Sequence, residues 1–181
     1  MKKTTTILWI FCLLIAGCTS KELSREEAFR LIQQDKQYPR VIDYEINRVD
    51  PDQARKVLNA GLEKDGWVTV QRTQKLVDVG KPLIHFTDKA KPYLLPLPEG
   101  ENPDKVQVVK LADKELAEVT GIKTSDSKNA VAEYTTVYKN VTPFAVLVNL
   151  DFNKKGTNKA YFSLYDDGWR LEKKPDMELE R

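Results

Sequence analysis

The chain opens with a basic head, Met1-Lys2-Lys3, three threonines, and the apolar run Ile7-Leu8-Trp9-Ile10-Phe11-Cys12-Leu13-Leu14-Ile15-Ala16, closing on Gly17-Cys18. No other segment constrains the chain as much, because it decides which residues are left to fold. A positive head, an apolar stretch of about 7–15 residues and small residues at its end make the plan of a secretory signal peptide. A membrane-crossing helix needs about 20 apolar residues, and this run falls short. Residues 1–17 are therefore expected to be removed.

Leu14-Ile15-Ala16-Gly17-Cys18 resembles the lipobox of bacterial lipoproteins. The resemblance implies a diacylglyceryl group on the Cys18 sulfur, cleavage before that residue, and an exported chain held to a membrane by acyl chains rather than by a spanning helix. Residues 18–23 are then a short lipidated tether. Thr19 stands where an aspartate would signal inner-membrane retention, so the resemblance implies the outer membrane in a Gram-negative host, on its periplasmic side or at the cell surface. An ordinary signal peptide would export the chain as well, with Cys18 free.

Two consequences follow for the folded body. Cys12 and Cys18 are the only cysteines, one lost with the signal and the other carrying lipid, so no disulfide is expected although the compartment permits one. The second consequence is electrostatic. The chain has 29 basic and 27 acidic residues, and removing Lys2 and Lys3 leaves 27 of each. Its apparent basicity belongs to the discarded segment, and no argument for binding a polyanion survives that loss.

The first half, 24–97, is expected to carry two helices and three strands. Ser24 and Glu27 form a capping box ahead of Phe29, Leu31 and Ile32, predicting a helix over 25–36 that stops before Tyr38-Pro39. The segment 41–50 alternates as a strand, with a short helix as the alternative. Asp50-Pro51 starts a second helix, with Ala54, Val57, Leu58 and Leu62 on one face and Asp65-Gly66 as its stop. Trp67–Val70 and Leu83–Phe86 are expected strands, joined by a polar loop around Gly80-Lys81-Pro82, with Thr87 capping the turn that follows. "VLNAGLEKDGWVTV" (57–70) and "IHFTDKAKPYL" (84–94) resemble a winged-helix domain, which implies a helix pair beside a β-ribbon. DNA binding does not follow. Residues 21–95 hold 14 basic against 12 acidic residues, and specific duplex binding leans on several phosphate contacts.

"PLPEGENPD" (96–104) has the composition of a linker, and a boundary is expected there. The second half, 104–174, is expected to be an antiparallel sheet. Its strands are 105–112, 130–141, a run within "AVLVNLDF" with Val146, Val148, Leu150 and Phe152 on one face, "KAYFSLY", and "WRLEKK" after an Asp166-Asp167-Gly168 turn. Asp113 is expected to cap a short helix through Lys114–Glu118. "YFSLYDDGWRLEK" resembles the closing hairpin of cystatin-like and NTF2-like α+β sheets. Residues 175–181 form a polar tail. The fold class expected is α+β.

Reactive groups do not assemble into a known pattern. His85 is the single histidine, with no cysteine to share a zinc ion, so no metal site is expected. Ser125-Asp126-Ser127-Lys128 has the spacing of Ser-x-x-Lys but sits in a loop, where that motif needs a helix start under its nucleophile. "DFNKKGTN" (151–158) imitates the opening of a calcium loop, yet Lys155 holds its fifth position and Phe162 its twelfth. Asp166-Asp167 are turn formers. The sequence contains no glycine-rich phosphate loop, and no cofactor is expected.

The chain is thus expected to be a non-catalytic, lipid-anchored envelope protein acting through another protein or in envelope assembly, without nucleic acid. The first alternative is a small apolar ligand in the concavity of the sheet, lined by Tyr134, Tyr138 and Trp169. The second is an envelope hydrolase, which would need His85 to converge with a carboxylate and a hydroxyl.

Overall fold

The computed structural model describes residues 22–173. The expected signal peptide, Cys18, the tether up to residue 21 and the tail from residue 174 lie outside the described residues. The described chain is α+β. A six-stranded antiparallel sheet carries the order β1-β5-β6-β7-β8, with β4 also on β5, and β2 and β3 form a separate two-stranded ribbon. The strands are β1 (Arg40–Asn47), β2 (Val68–Val70), β3 (Ile84–Phe86), β4 (Leu94–Leu95), β5 (Val106–Thr124), β6 (Asn129–Lys139), β7 (Gly156–Tyr165) and β8 (Gly168–Glu172). The helices are α1 (Arg25–Asp35) and α2 (Pro51–Asn59).

Local signals placed both helix starts. The Ser24 side chain accepts from the Glu27 amide at 3.1 Å, and Asp50 accepts from the Asp52 amide at 2.8 Å, satisfying first-turn donors that have no intrahelical partner. α2 ends earlier than its apolar stripe predicts. Gly61 takes φ +78°, the Gly61 amide bonds the Leu58 carbonyl and the Leu62 amide bonds the Val57 carbonyl. That is a Schellman stop, with Leu62 folded back onto Val57 in the core. Gly61, not Gly66, terminates the helix. Thr87 does not cap the turn after β3; its Oγ1 donates to the carbonyls of Gly66 and Trp67, tying the base of the ribbon.

Two expectations in the second half are corrected. Lys114–Glu118 is not a helix but the middle of β5, a 19-residue strand whose backbone is bonded by β1 along its first half and by β6 along its second. Asp113 therefore caps nothing. Its carboxylate accepts from Lys110 Nζ at 2.7 Å and Asn140 Nδ2 at 2.8 Å. The run 145–152 is not a strand either. The place beside β6 belongs to β7, paired from Thr136↔Gly156 to Asn129↔Ser163, so no ladder is left for it. The chain leaves the sheet at Asn140 (φ +48°) and turns through a 3₁₀ segment, Pro143–Leu147, before re-entering at Gly156. Within it Phe144, Ala145 and Leu147 are buried, whereas Val146 and Leu150 face solvent.

The apolar interior forms two clusters that do not follow the two halves of the sequence. One gathers Ile46, Val57, Leu62, Val68 and Ile84 with Val109, Leu111, Phe144 and Leu147. The other gathers Leu23, Ala28 and Ile32 of the first helix with Leu116, Val119, Ala132, Tyr134, Phe162 and Trp169. So α1 packs on the main sheet, and the 140–155 excursion returns to the first core. The winged-helix resemblance of 24–97 is not confirmed: α2 alone accompanies the β2–β3 ribbon, and β1 carries the chain away between the helices. Strand β5 serves both cores. The stretch 96–104 is a loop pinned to the first core by Arg48, whose side chain donates to the carbonyls of Ile84 and Pro103.

Candidate functional site

The three side chains expected to line a ligand cavity do not share one. Tyr134 and Trp169 are buried beneath α1, which fills the concave face of the sheet. Tyr138 instead packs edge-on against Phe152, with ring centroids 5.1 Å apart. Two open grooves flank α1. One of about 440 Å³ lies near its C-terminal end, bordered by Lys36, Tyr134, Asn158 and Tyr161. The other, about 760 Å³, opens at its N-terminal end between Glu27, Lys128, Tyr165 and Trp169. Burial pushes the Tyr134 phenol up to about 12, so it keeps its hydroxyl even in alkaline solution where an ordinary tyrosine ionises.

The remaining sequence candidates are scattered. His85 is exposed on β3 opposite Thr69, whereas Ser125–Lys128 lie in the β5–β6 turn of the other sheet. Asp126 closes the β5–β6 turn by accepting from the amides of Lys128 and Asn129 at 2.7 and 2.9 Å. Asp151 accepts from the Asn153 amide at 2.9 Å, an Asx turn leading into β7. Asp166-Asp167 form the two-residue connection of the β7–β8 hairpin, and Arg170 pairs with Asp167. Among the described residues no group of three or more His, Cys, Asp or Glu side chains is placed to hold a metal ion. No described helix is long and apolar enough to cross a membrane.

Two features stand out that periodicity did not find. The first is the tip of the β2–β3 connection. Leu76, Val77 and Val79 are 91%, 78% and 70% exposed, the largest exposures of any big apolar side chain in the described residues. The loop carrying them is braced at its base. The Gln71 amide bonds the Leu83 carbonyl at 2.8 Å, Glu63 accepts from the Val70 amide at 2.8 Å, and Arg72 pairs with Glu63 at 2.5 Å. Nearer the tip Gln74 Nε2 donates to the Lys81 carbonyl at 3.0 Å, and Lys81 pairs with Asp78 at 2.7 Å. The signal was visible in "KLVDVG", three aliphatic residues within a stretch otherwise fit for a polar turn.

The second feature lies on the main sheet where the two cores meet. Arg40 on β1 faces Lys114 on β5, and Lys114 faces Tyr138 on β6. Residues paired across antiparallel strands point to one side, and alternation along β6 makes that the side of Tyr134 and Thr136. Lys114 is half-buried between Leu111 of one core and Leu116 of the other. Burial, reinforced by the Arg40 charge, holds its ammonium below the ordinary lysine range. Sequence reasoning could not find this row, because it placed Lys114 on a helix.

No protein family model, curated protein or solved structure matches the chain.

Proposed function

We propose that the chain is a non-catalytic, lipid-anchored protein of the cell envelope, exported and attached through Cys18, which acts by holding or helping to assemble another envelope protein. The exposed apolar tip Leu76-Val77-Val79 carries the reading. Three aliphatic side chains left in water at the end of a braced loop forgo about 1.5–3 kcal/mol each of burial, a loss that a partner's groove would recover. The bracing lowers the entropy lost on docking, since the loop is already held in shape.

A photo-crosslinking residue at Val77, in the lipidated chain in its own membranes, tests this. One protein should be captured repeatedly, and Leu76→Asp should abolish capture while leaving the fold intact. Capture of nothing above background, or capture unaffected by Leu76→Asp, would overturn it. Metabolic labelling with palmitate tests the anchor separately, and Cys18→Ser should lose the label.

A second reading, a small-ligand binder, draws support from the 440 Å³ groove beside Tyr134. It would require ligand contact at Tyr134 and Tyr161 rather than at the loop tip.

A further inference from the structure

Arg40 and Lys114 are a like-charged pair placed directly opposite one another on neighbouring strands. Such pairs are destabilising, and burying one member adds the loss of its hydration. Proteins ordinarily relieve the arrangement with a carboxylate. Among the described residues neither Arg40 nor Lys114 takes part in an ion pair. The acids nearby are otherwise engaged or face away. Asp35, at the end of α1, pairs with Lys36 at 3.5 Å. Asp113 and Glu115 alternate to the opposite side of β5, where Asp113 is held by Lys110 and Asn140.

The surroundings of the pair are aromatic and polar rather than acidic. The Lys114 ammonium lies 5.9 Å from the centre of the Tyr138 ring, and Phe152 packs edge-on against the same ring. Tyr134 lies further along the same face, with Tyr38 beside it. The row therefore sits at the seam between the cores, with one cation half-buried and the other, Arg40, open to solvent.

We propose that Arg40 and Lys114 form a binding subsite for an oxyanion, a carboxylate or phosphate group, at the seam between the two cores. The anion supplies the missing countercharge. A guanidinium meets two oxygens of such a group side by side, and the ammonium supplies a point charge from the floor. Tyr138 gives the site an apolar wall on which the body of the ligand rests. The sheet register sets this pair whatever anchors the chain.

The test uses the full chain in a neutral detergent, with inorganic phosphate and acetate as probes and potassium chloride at matched ionic strength as the control. Nitrogen-detected NMR of the Arg40 side-chain Nε and the Lys114 Nζ should show saturable shifts with phosphate or acetate. Whichever probe binds more tightly identifies the preferred source of the charge. Arg40→Gln and Lys114→Met should each remove saturation. A second measurement separates binding from scaffolding. Without added anion, Lys114→Met should be at least as resistant to urea as the parent chain, because it removes a repulsion. Phosphate at saturation should raise the parent's unfolding midpoint and leave that of Lys114→Met unmoved. Shifts that only follow ionic strength would overturn the subsite. So would a Lys114→Met chain that is less stable than the parent while the parent gains nothing from either anion.

Discussion

Replacing Phe144 by alanine asks directly whether the second half of the chain completes the first core. Phe144 is fully buried, with Phe86, Tyr93 and Trp67 at centroid distances of 6.1, 6.3 and 6.4 Å. Truncating a buried phenylalanine costs about 3–5 kcal/mol, and aromatic pairs at these separations contribute about 0.5–1.5 kcal/mol beyond area. The tilted and edge-on contacts place Phe144→Ala near about 4 kcal/mol. With a urea slope of about 2 kcal/mol per molar, the midpoint should fall by about 2 M. Two tryptophans remain after residues 1–17, Trp67 in one core and Trp169 in the other. Trp67→Phe and Trp169→Phe thus give chains whose fluorescence reports on one core at a time. In the chain reporting through Trp67, Phe144→Ala should lower the midpoint by the full amount. The Trp169 signal should follow it, because β5 threads both cores and its ladder cannot break in one half alone. If the Trp169 transition moved and that of Trp67 stayed, Phe144 would belong to the sheet core and the assignment of 140–155 would be wrong. The Trp169→Phe background itself should be mild, within about 1 kcal/mol, since it removes an indole N–H that has no partner in the core.

Three further substitutions test the joints of the structure. Thr142 is buried, donating to the Lys110 carbonyl at 2.5 Å and accepting from the Phe144 amide at 3.2 Å. Thr142→Val should cost about 1–3 kcal/mol in urea unfolding, and Thr142→Ser should recover most of it. A Cβ on Gly156 would meet Thr136 Oγ1 at 2.7 Å, so Gly156→Ala should destabilise by about 1–3 kcal/mol. The double variant with Thr136→Ala should lose less than the sum of the two singles, and simple additivity would count against the contact. Hydrogen bonds from Lys110 and then from Asn140 hold the Asp113 carboxyl below its ordinary value. A group depressed by folding adds stability above its unfolded pKa and loses it as pH falls through the folded one. The advantage of the parent over Asp113→Asn should therefore be full, about 1–2 kcal/mol, at neutral pH and should shrink as pH drops from about 4 downward. An advantage that persisted unchanged at the acid end would refute the assignment.

These joints also show where the sequence was legible. The starts of α1 and α2 could be read because a cap is settled by one side chain and amides two or three residues away. The β2–β3 pairing, the β6 alternation and the β7–β8 turn were equally local. By contrast, "DKELAEV" has the composition of a helix, yet its backbone is claimed by strands from residues 40–47 and 129–139, far away in the chain. "AVLVNLDF" alternates like a strand, but the edge it would need is taken by β7. Neither competitor is visible in a local window. The seam of Arg40, Lys114 and Tyr138 was hidden for the same reason, since register between distant strands assembled it.

By itself, the sequence determined the absence of any disulfide framework in the body, the helix starts and the α+β class, because composition and short-range chemistry suffice for each. Tertiary structure alone decided that α1 crosses to the main sheet, that residues 140–155 return to the first core, and that one long strand joins the two. Burial and ladder pairing depend on which surfaces meet, and side chains distant in the chain settle that together rather than one segment at a time.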